Sequence, residues 1–447
     1  MPGSAGVHVE ARSRRGACPS VHAPFEEPDG ALARVRLPGG RLAPASAAAL
    51  AAAAARVGAG AVELTNRANV QVRGLAPAAV PDLRDALIGG GLVARDPRVD
   101  ERRNVLASPT AGVDRFELVD VGAAVAAVLE RLASPAARGI SPKFGVLVDG
   151  GGEVGVRGRV HDLALGALRT ADGDVRFEVR LADALPENDA AREVAWTVEP
   201  AAVPDLVDAV LAVCAPYGRV TNAIASRGSD RIADEIRRRA GDVSTRRDVC
   251  TRAPRPRPVD PVGIHAQRDG GRVWVGARAV LGRLDVPQLA ALARVAAVRG
   301  SEIRVTPWRG VVLTDVRREH GALAARELEQ LGLVCDPGHP ANVVVACAGS
   351  TGCAAGLVDA QRDARAVIDA LAVLPRARRP ASVHVSGCDK GCACPSPAEV
   401  SLVGTGPDRY DVFVDAFGAE ARFGLRRTAA EMLRDAIRTA LDTRARA

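Results

Sequence analysis

Aromatic side chains are scarce in this chain: three Trp, two Tyr and seven Phe, 3% of 447 residues. Stacking platforms for bases are therefore few, which argues against nucleic acid as a partner. The core must instead be built from Ala, Val and Leu. Long apolar runs are missing too. No stretch of about 18 or more apolar residues occurs, and the amino-terminal segment is charged and unlike a signal, so the expected setting is cytoplasmic, with no membrane partner. Cysteines stay reduced there and are available to a metal. Lysine is the third shortage. Of 60 basic residues only Lys143 and Lys390 are lysine, so a retained ammonium marks places where a compact, strongly hydrated cation is preferred to a planar fork. The net charge of +7 is spread along the chain rather than gathered in blocks.

What is present is organised around residues 347–395. Cys347-Ala-Gly-Ser-Thr-Gly-Cys353 holds two cysteines with five residues between them. Ser386-Gly-Cys388-Asp-Lys-Gly-Cys392-Ala-Cys394 holds a pair with three between them and a further thiol. Four thiolates from two glycine-rich loops suit an iron–sulfur cluster, whose sulfides accept N–H bonds from closely approaching backbone. Structural zinc prefers shorter knuckles, so the five-residue gap fits it poorly. Disulfides need an oxidising compartment. Cys347, Cys353, Cys388 and Cys392 are the expected 4Fe-4S ligands, with Cys394 an alternative within the same loop.

A chain of this length exceeds one core, and its pattern repeats. Residues 1–27 read as an arm containing Cys18 and His22. From 28 to 95 a strand, a Gly-Gly turn, an Ala-rich helix over 46–57 and the strand pair around Thr65-Asn-Arg67-Ala-Asn69 form a small module. The same order returns over 263–338, where Gly282-Arg-Leu matches Gly40-Arg-Leu and Thr306 matches Thr65. That is an internal duplication. A proline-rich linker, 251–262, separates the halves. Each module is followed by a longer segment, 96–250 and 339–447, of strand–loop–helix units that predict mixed α/β layers. In the second, a helix is expected over 356–374. Ligands in such pseudo-twofold chains lie at the seam.

The late cysteines, the duplication and the linker together resemble the sirohaem-dependent sulfite and nitrite reductases. The resemblance implies an α/β (α+β) fold with two ferredoxin-like half-domains and two α/β domains in pseudo-twofold symmetry. It places Arg67, Arg103-Asn104 and Lys143 at positions whose cations hold sirohaem carboxylates and a small oxyanion in those enzymes. Gly145 stands where a second lysine is expected, and Asp389-Lys390 replaces the usual Pro-Asn. Losing an ammonium weakens a reading centred on a tiny anion at iron. The arm, Asp29-Gly-Ala-Leu-Ala-Arg-Val-Arg36 and Thr65–Gly74 resemble the precorrin-3B synthase branch of the same superfamily.

That branch implies an oxidoreductase, a monooxygenase of aerobic cobalamin synthesis. Precorrin-3A would be substrate, O2 would hydroxylate it, and an acetate arm would close a γ-lactone. The cofactors implied are a 4Fe-4S cluster and a mononuclear non-haem iron; sirohaem belongs to the reductase alternative. Precorrin-3A is a polycarboxylate, which Arg forks bind in bidentate fashion. Lys143 and Arg103 are the expected catalytic residues, with Arg67, Asn69, Arg73, Asn104, Arg309 and Lys390 binding substrate. With 58 arginines, any single one is by default a solvated surface residue, and motif context alone lifts these few. No Gly-x-Gly-x-x-Gly lies between a strand and a helix, so electrons should come from an external ferredoxin or an NADH-dependent reductase. For the mononuclear iron, Cys18, His22 and His384 are weak candidates. A non-catalytic electron carrier is the more distant alternative.

Overall fold

The computed structural model describes residues 18–187, 192–241, 246–250, 260–394, 398–414 and 424–429. Most of the arm and residues 251–259 of the expected linker therefore lie outside the described residues.

Two antiparallel five-stranded sheets make the first layer, and each borrows a strand from the other half. One contains Phe25–Glu27, Gly30–Val35, Val70–Leu75 and Ala61–Leu64, and is completed by Arg283–Asp285. The other contains Gly263–Ala266, Arg272–Arg278, Gly310–Arg317 and Ile303–Val305, and is completed by Arg41–Leu42. The exchange is reciprocal: Leu284 sits opposite Val62, and Leu42 opposite Ile303. Helices Pro44–Arg56 and Val286–Arg299 follow the two exchanged strands and pack on each other. Alanines at 47, 51, 53 and 54 of the first are buried and small enough for close approach. The second opens with a capping box, Asp285 and Gln288 satisfying each other's backbone. One continuous apolar core runs through both halves.

The exchange turns on a glycine. Gly40 has φ +72°, and a Cβ there would collide with the carbonyl of Val305 from the opposite half. Gly282 occupies the matching place at φ +76° and faces Arg309.

The longer segments repeat one topology. Val105–Ala107, Val146–Asp149 and His161–Arg169 run parallel, and an antiparallel strand, Val175–Asp183, follows. Val344–Ala346, Val383–Ser386 and Val400–Gly406 run parallel, and antiparallel Arg409–Val414 follows. Each sheet has its own core. Only Pro200–Tyr217 is long and apolar enough to cross a membrane by length and composition among the described residues; its Val203, Leu206, Val207 and Val210 are buried in the first of these cores. The helix expected from 356 begins instead at Ala360, capped by the Asp359 side chain. Residues 349–358 fold back as a loop because Gly356 must touch Gly349.

Candidate functional site

The first cysteine loop leaves strand Val344–Ala346 and the second leaves strand Val383–Ser386, which are parallel neighbours. Cys347 is therefore beside the start of the second loop, and its Sγ accepts the Gly387 N–H at 3.0 Å. Glycines make the approach possible. A Cβ on Gly387 would lie 3.1 Å from Gly349 Cα, and one on Gly404 would lie 2.8 Å from the Gly387 carbonyl. Burial pushes the Cys347 thiol up, the Gly387 and Gly349 N–H groups pull it back, and Cys388 and Cys353 raise it further. This crowd of thiols, with amides aimed at sulfur, suits a cluster that binds thiolates and accepts N–H bonds at its sulfides.

Counted from the matched strands (Val105 with Val344, Val146 with Val383), Ser108 takes the sequence place of Cys347, Asp114 that of Cys353, Gly151 that of Cys388 and Gly155 that of Cys392. In the first half that space is closed by carboxylate. Asp114 Oδ2 accepts the N–H of Glu153 at 2.8 Å and the Thr110 hydroxyl at 3.0 Å, while Ser108 donates to the Val154 carbonyl at 2.5 Å. The doubled scaffold thus offers one cysteine cradle and one self-satisfied polar knot.

Cys347, Cys353, Cys388 and Cys392 all line a cleft of about 1210 Å³, its open mouth included. Cys394 is half-buried and outside that lining. Arg34, Arg73, Arg309 and Lys390 line it too, against Glu27 and Glu63, so its wall is mixed with an excess of cations. All three arginines are committed. Arg34 donates to Gln71 Oε1 at 2.8 Å. Arg73 bonds Asp29 at 3.0 Å and the Gly352 carbonyl, tying the first half to the cysteine loop. Arg309, at φ +62°, donates to Ala346 at 2.8 Å and Ala393 at 3.1 Å, stapling the two cysteine loops together.

A second cavity of about 370 Å³ adjoins it, lined by Arg67, Asn69, Asn104, Lys143, His161 and Arg219 among others. One turn separates the two spaces. Thr65 and Asn66 face the cleft, while Arg67 and Asn69 face the cavity. Its shape is set by Thr65, whose N–H donates to the Asn69 carbonyl and whose hydroxyl accepts the Asn69 N–H at 3.1 Å. Thr306 holds Gly310 in the same way. Asn104 donates to the carbonyls of Pro142 at 2.7 Å and Phe144 at 3.2 Å, thereby fixing the turn that carries Lys143.

Arg103, expected to face ligand, lines neither space. Its guanidinium donates to the carbonyls of Leu92 at 2.6 Å and Arg36 at 3.1 Å and pairs with Asp100. His22 donates to the Ala94 carbonyl, Cys18 neighbours Arg34, and His384 is buried in its strand near Arg309. Among the described residues no three His, Cys, Asp or Glu side chains converge as ligands of one ion. A cube takes one cysteine per iron, so its ligands need not converge on a point. His161, Asp162 and Arg219 sit in no spaced motif of the sequence, and their convergence at the cavity comes from tertiary packing; Arg34 lies within the Asp29–Arg36 segment and lines the cleft.

These are the features of a doubled half-domain scaffold carrying four cysteines at one cleft, and the chain belongs to the nitrite/sulfite reductase superfamily. The model of the nitrite/sulfite reductase ferredoxin-like half domain matches it twice, over 24–89 and 265–331. Within that superfamily the chain is 32% identical to Precorrin-3B synthase of Sinorhizobium sp over 418 residues, 93% of this chain and 85% of that one. It is 30% identical to a ferredoxin–nitrite reductase of Synechococcus elongatus, over 83% of this chain and 76% of that one. The structure of the Mycobacterium tuberculosis NirA protein shares the fold, with TM-score 0.71, 20% identity, 91% of this chain and 79% of that one covered.

Proposed function

We propose that this oxidoreductase acts on a polycarboxylated tetrapyrrole, as a precorrin-3B synthase, hydroxylating precorrin-3A with O2 and closing a γ-lactone. The observation that carries the reading is Gly145. It contributes no cation to the second cavity, and the neutral ring of His161 lies against it. A reductase of sulfite or nitrite stabilises charge developing on a small oxyanion, which rewards dense positive charge. A neutral co-substrate beside a large polyanion asks for less. Similarity over 93% of the chain to a precorrin-3B synthase supports the same choice.

The large cleft would receive the macrocycle with one face turned to the adjoining cavity, where Lys143 and Arg67 would bind carboxylate arms folded over that face, and Lys390 would bind one from the cysteine side. Arg73, Arg309 and Asn104 would hold the walls in position through their backbone bonds, and Asn69 would stay fixed by the Leu37 N–H at 2.8 Å. A 4Fe-4S cluster held by Cys347, Cys353, Cys388 and Cys392 would supply single-electron transfer, fed by an external ferredoxin or an NADH-dependent reductase. The described residues do not present the three donors a mononuclear iron needs, and no role is assigned to one.

Anaerobic incubation with precorrin-3A and a reductant, followed by O2 and mass spectrometry, tests the reading. One oxygen atom should enter the product and the second should leave as water, consuming two electrons and two protons. Turnover of sulfite or nitrite with no change in the tetrapyrrole would establish the sirohaem reductase alternative.

A further inference from the structure

His161 has no part in the account above beyond leaving the cavity short of a cation. It opens strand His161–Arg169, and a Cβ built on Gly145 would lie 3.3 Å from its Cδ2. The absence of a side chain at 145 thus admits the imidazole to the cavity wall. His161 Nδ1 lies 3.1 Å from the Arg159 carbonyl oxygen. A carbonyl accepts only, so Nδ1 carries the proton and Nε2 keeps its lone pair. Among the described residues Nε2 has no hydrogen-bond partner. Burial pulls the imidazole pKa down to about 4; Arg67 and Arg159 add to the lowering, while the Arg159 carbonyl and Asp162 oppose it.

The other side chains of the wall are donors or already spent. Lys143 and Arg67 offer N–H groups. Asp162 is consumed by Arg219 at 2.9 Å and by the N–H groups of Gly145 at 3.1 Å and Val220 at 3.0 Å. Asn104 Oδ1 accepts Arg36 Nε at 3.0 Å, and Asn69 Oδ1 accepts the Leu37 N–H. A lone pair set among cations gains nothing from an oxyanion. It is rewarded by a neutral N–H donor.

We propose that His161 is a specificity-determining residue that selects a metal-free tetrapyrrole: from the cavity facing the macrocycle, Nε2 accepts a hydrogen bond from a pyrrolic N–H, a group that an iron-loaded macrocycle has surrendered to its metal. This rests on the tetrapyrrole reading above. The test titrates the full-length protein, by absorption, with sirohydrochlorin (the metal-free macrocycle of sirohaem) and separately with sirohaem. His161→Phe should weaken the metal-free ligand roughly threefold to tenfold, the worth of one hydrogen bond, and leave the iron complex unchanged. His161→Gln, which restores an acceptor, should recover part of the loss. Lys143→Ala should weaken both ligands. Equal binding of the metal-free ligand by wild type and His161→Phe, or an equal loss for both ligands, would overturn the assignment alone. Failure of both macrocycles to bind the wild type would overturn the tetrapyrrole reading and the assignment with it. Nitrogen-15 spectra of the free protein give a check independent of ligand: His161 should show an unprotonated Nε2, and a protonated Nε2 overturns the proposal.

Discussion

Single side chains divide here into those that can meet a ligand and those that hold the wall. Lys143 belongs to the first group: it lines the cavity, and its carrying turn is bonded through Asn104. Lys143→Ala should reduce tetrapyrrole affinity by roughly tenfold or more, the worth of a charged hydrogen bond, with the cluster absorbance unchanged in the same titration. Arg103 belongs to the second. Removing it leaves the carbonyls of Leu92 and Arg36 unsatisfied, so Arg103→Ala should cost about 1–3 kcal/mol of stability in urea unfolding. The sequence motif named both residues but held no sign of this difference, because which carbonyls surround a guanidinium depends on chain segments far apart. Arg73 and Arg309 make the same point: both read as forks for a ligand carboxylate, yet Arg73 forks the protein's own Asp29 and reaches the Gly352 carbonyl, and Arg309 bonds the carbonyls of Ala346 and Ala393.

At the level of elements, the loops at the carboxyl ends of the parallel strands decide what each half can bind. Gly356→Ala would drive a Cβ into Gly349 and keep the first cysteine loop from closing. Iron and sulfide content should fall sharply while circular dichroism stays near wild type. The counterpart loop in the first half holds Glu117, which accepts the Gly112 N–H at 2.7 Å and sits close to Asp120 and Asp114. Burial raises its pKa to about 8, the neighbouring carboxylates adding to the rise while the Gly112 N–H and Arg268 oppose it. The folded protein therefore binds a proton there that the unfolded chain has already released. This contribution to stability is complete below the ordinary carboxyl range and is lost as pH climbs towards 8. Glu117→Gln should flatten that decline, measured as the urea midpoint between pH 5 and 8.5, about the range set by the two pKa values. The spacing of Cys347 and Cys353 was legible in the chain, and so was the alternation of its strands. The start of the following helix was not, since an apolar pattern continues through 357–358 although Gly356 is held against Gly349.

The whole molecule is held together by the strand exchange between its halves. Gly40→Ala would force a Cβ onto the Val305 carbonyl at a left-handed φ. Adding the left-handed penalty to overpacking gives a cost of about 2–5 kcal/mol. Because one core crosses the seam, denaturation of this variant should remain a single transition shifted to lower denaturant. Two separated transitions would show that the halves fold independently. The seam matters for function because the cleft draws its lining from both halves, with Arg73 on one side and Arg309 and the cysteines on the other.

Sequence by itself determined the period of the helices and strands, the duplication, the four spaced thiols and the rarity of lysine, since each of these is a local pattern or a count. Tertiary structure alone decided which half closes on carboxylate, which arginines are spent on backbone, and that an imidazole fills the room left by Gly145. Those outcomes depend on the distances between groups remote in the chain, and hydrogen-bond donors and acceptors are consumed only when folding brings their partners within reach.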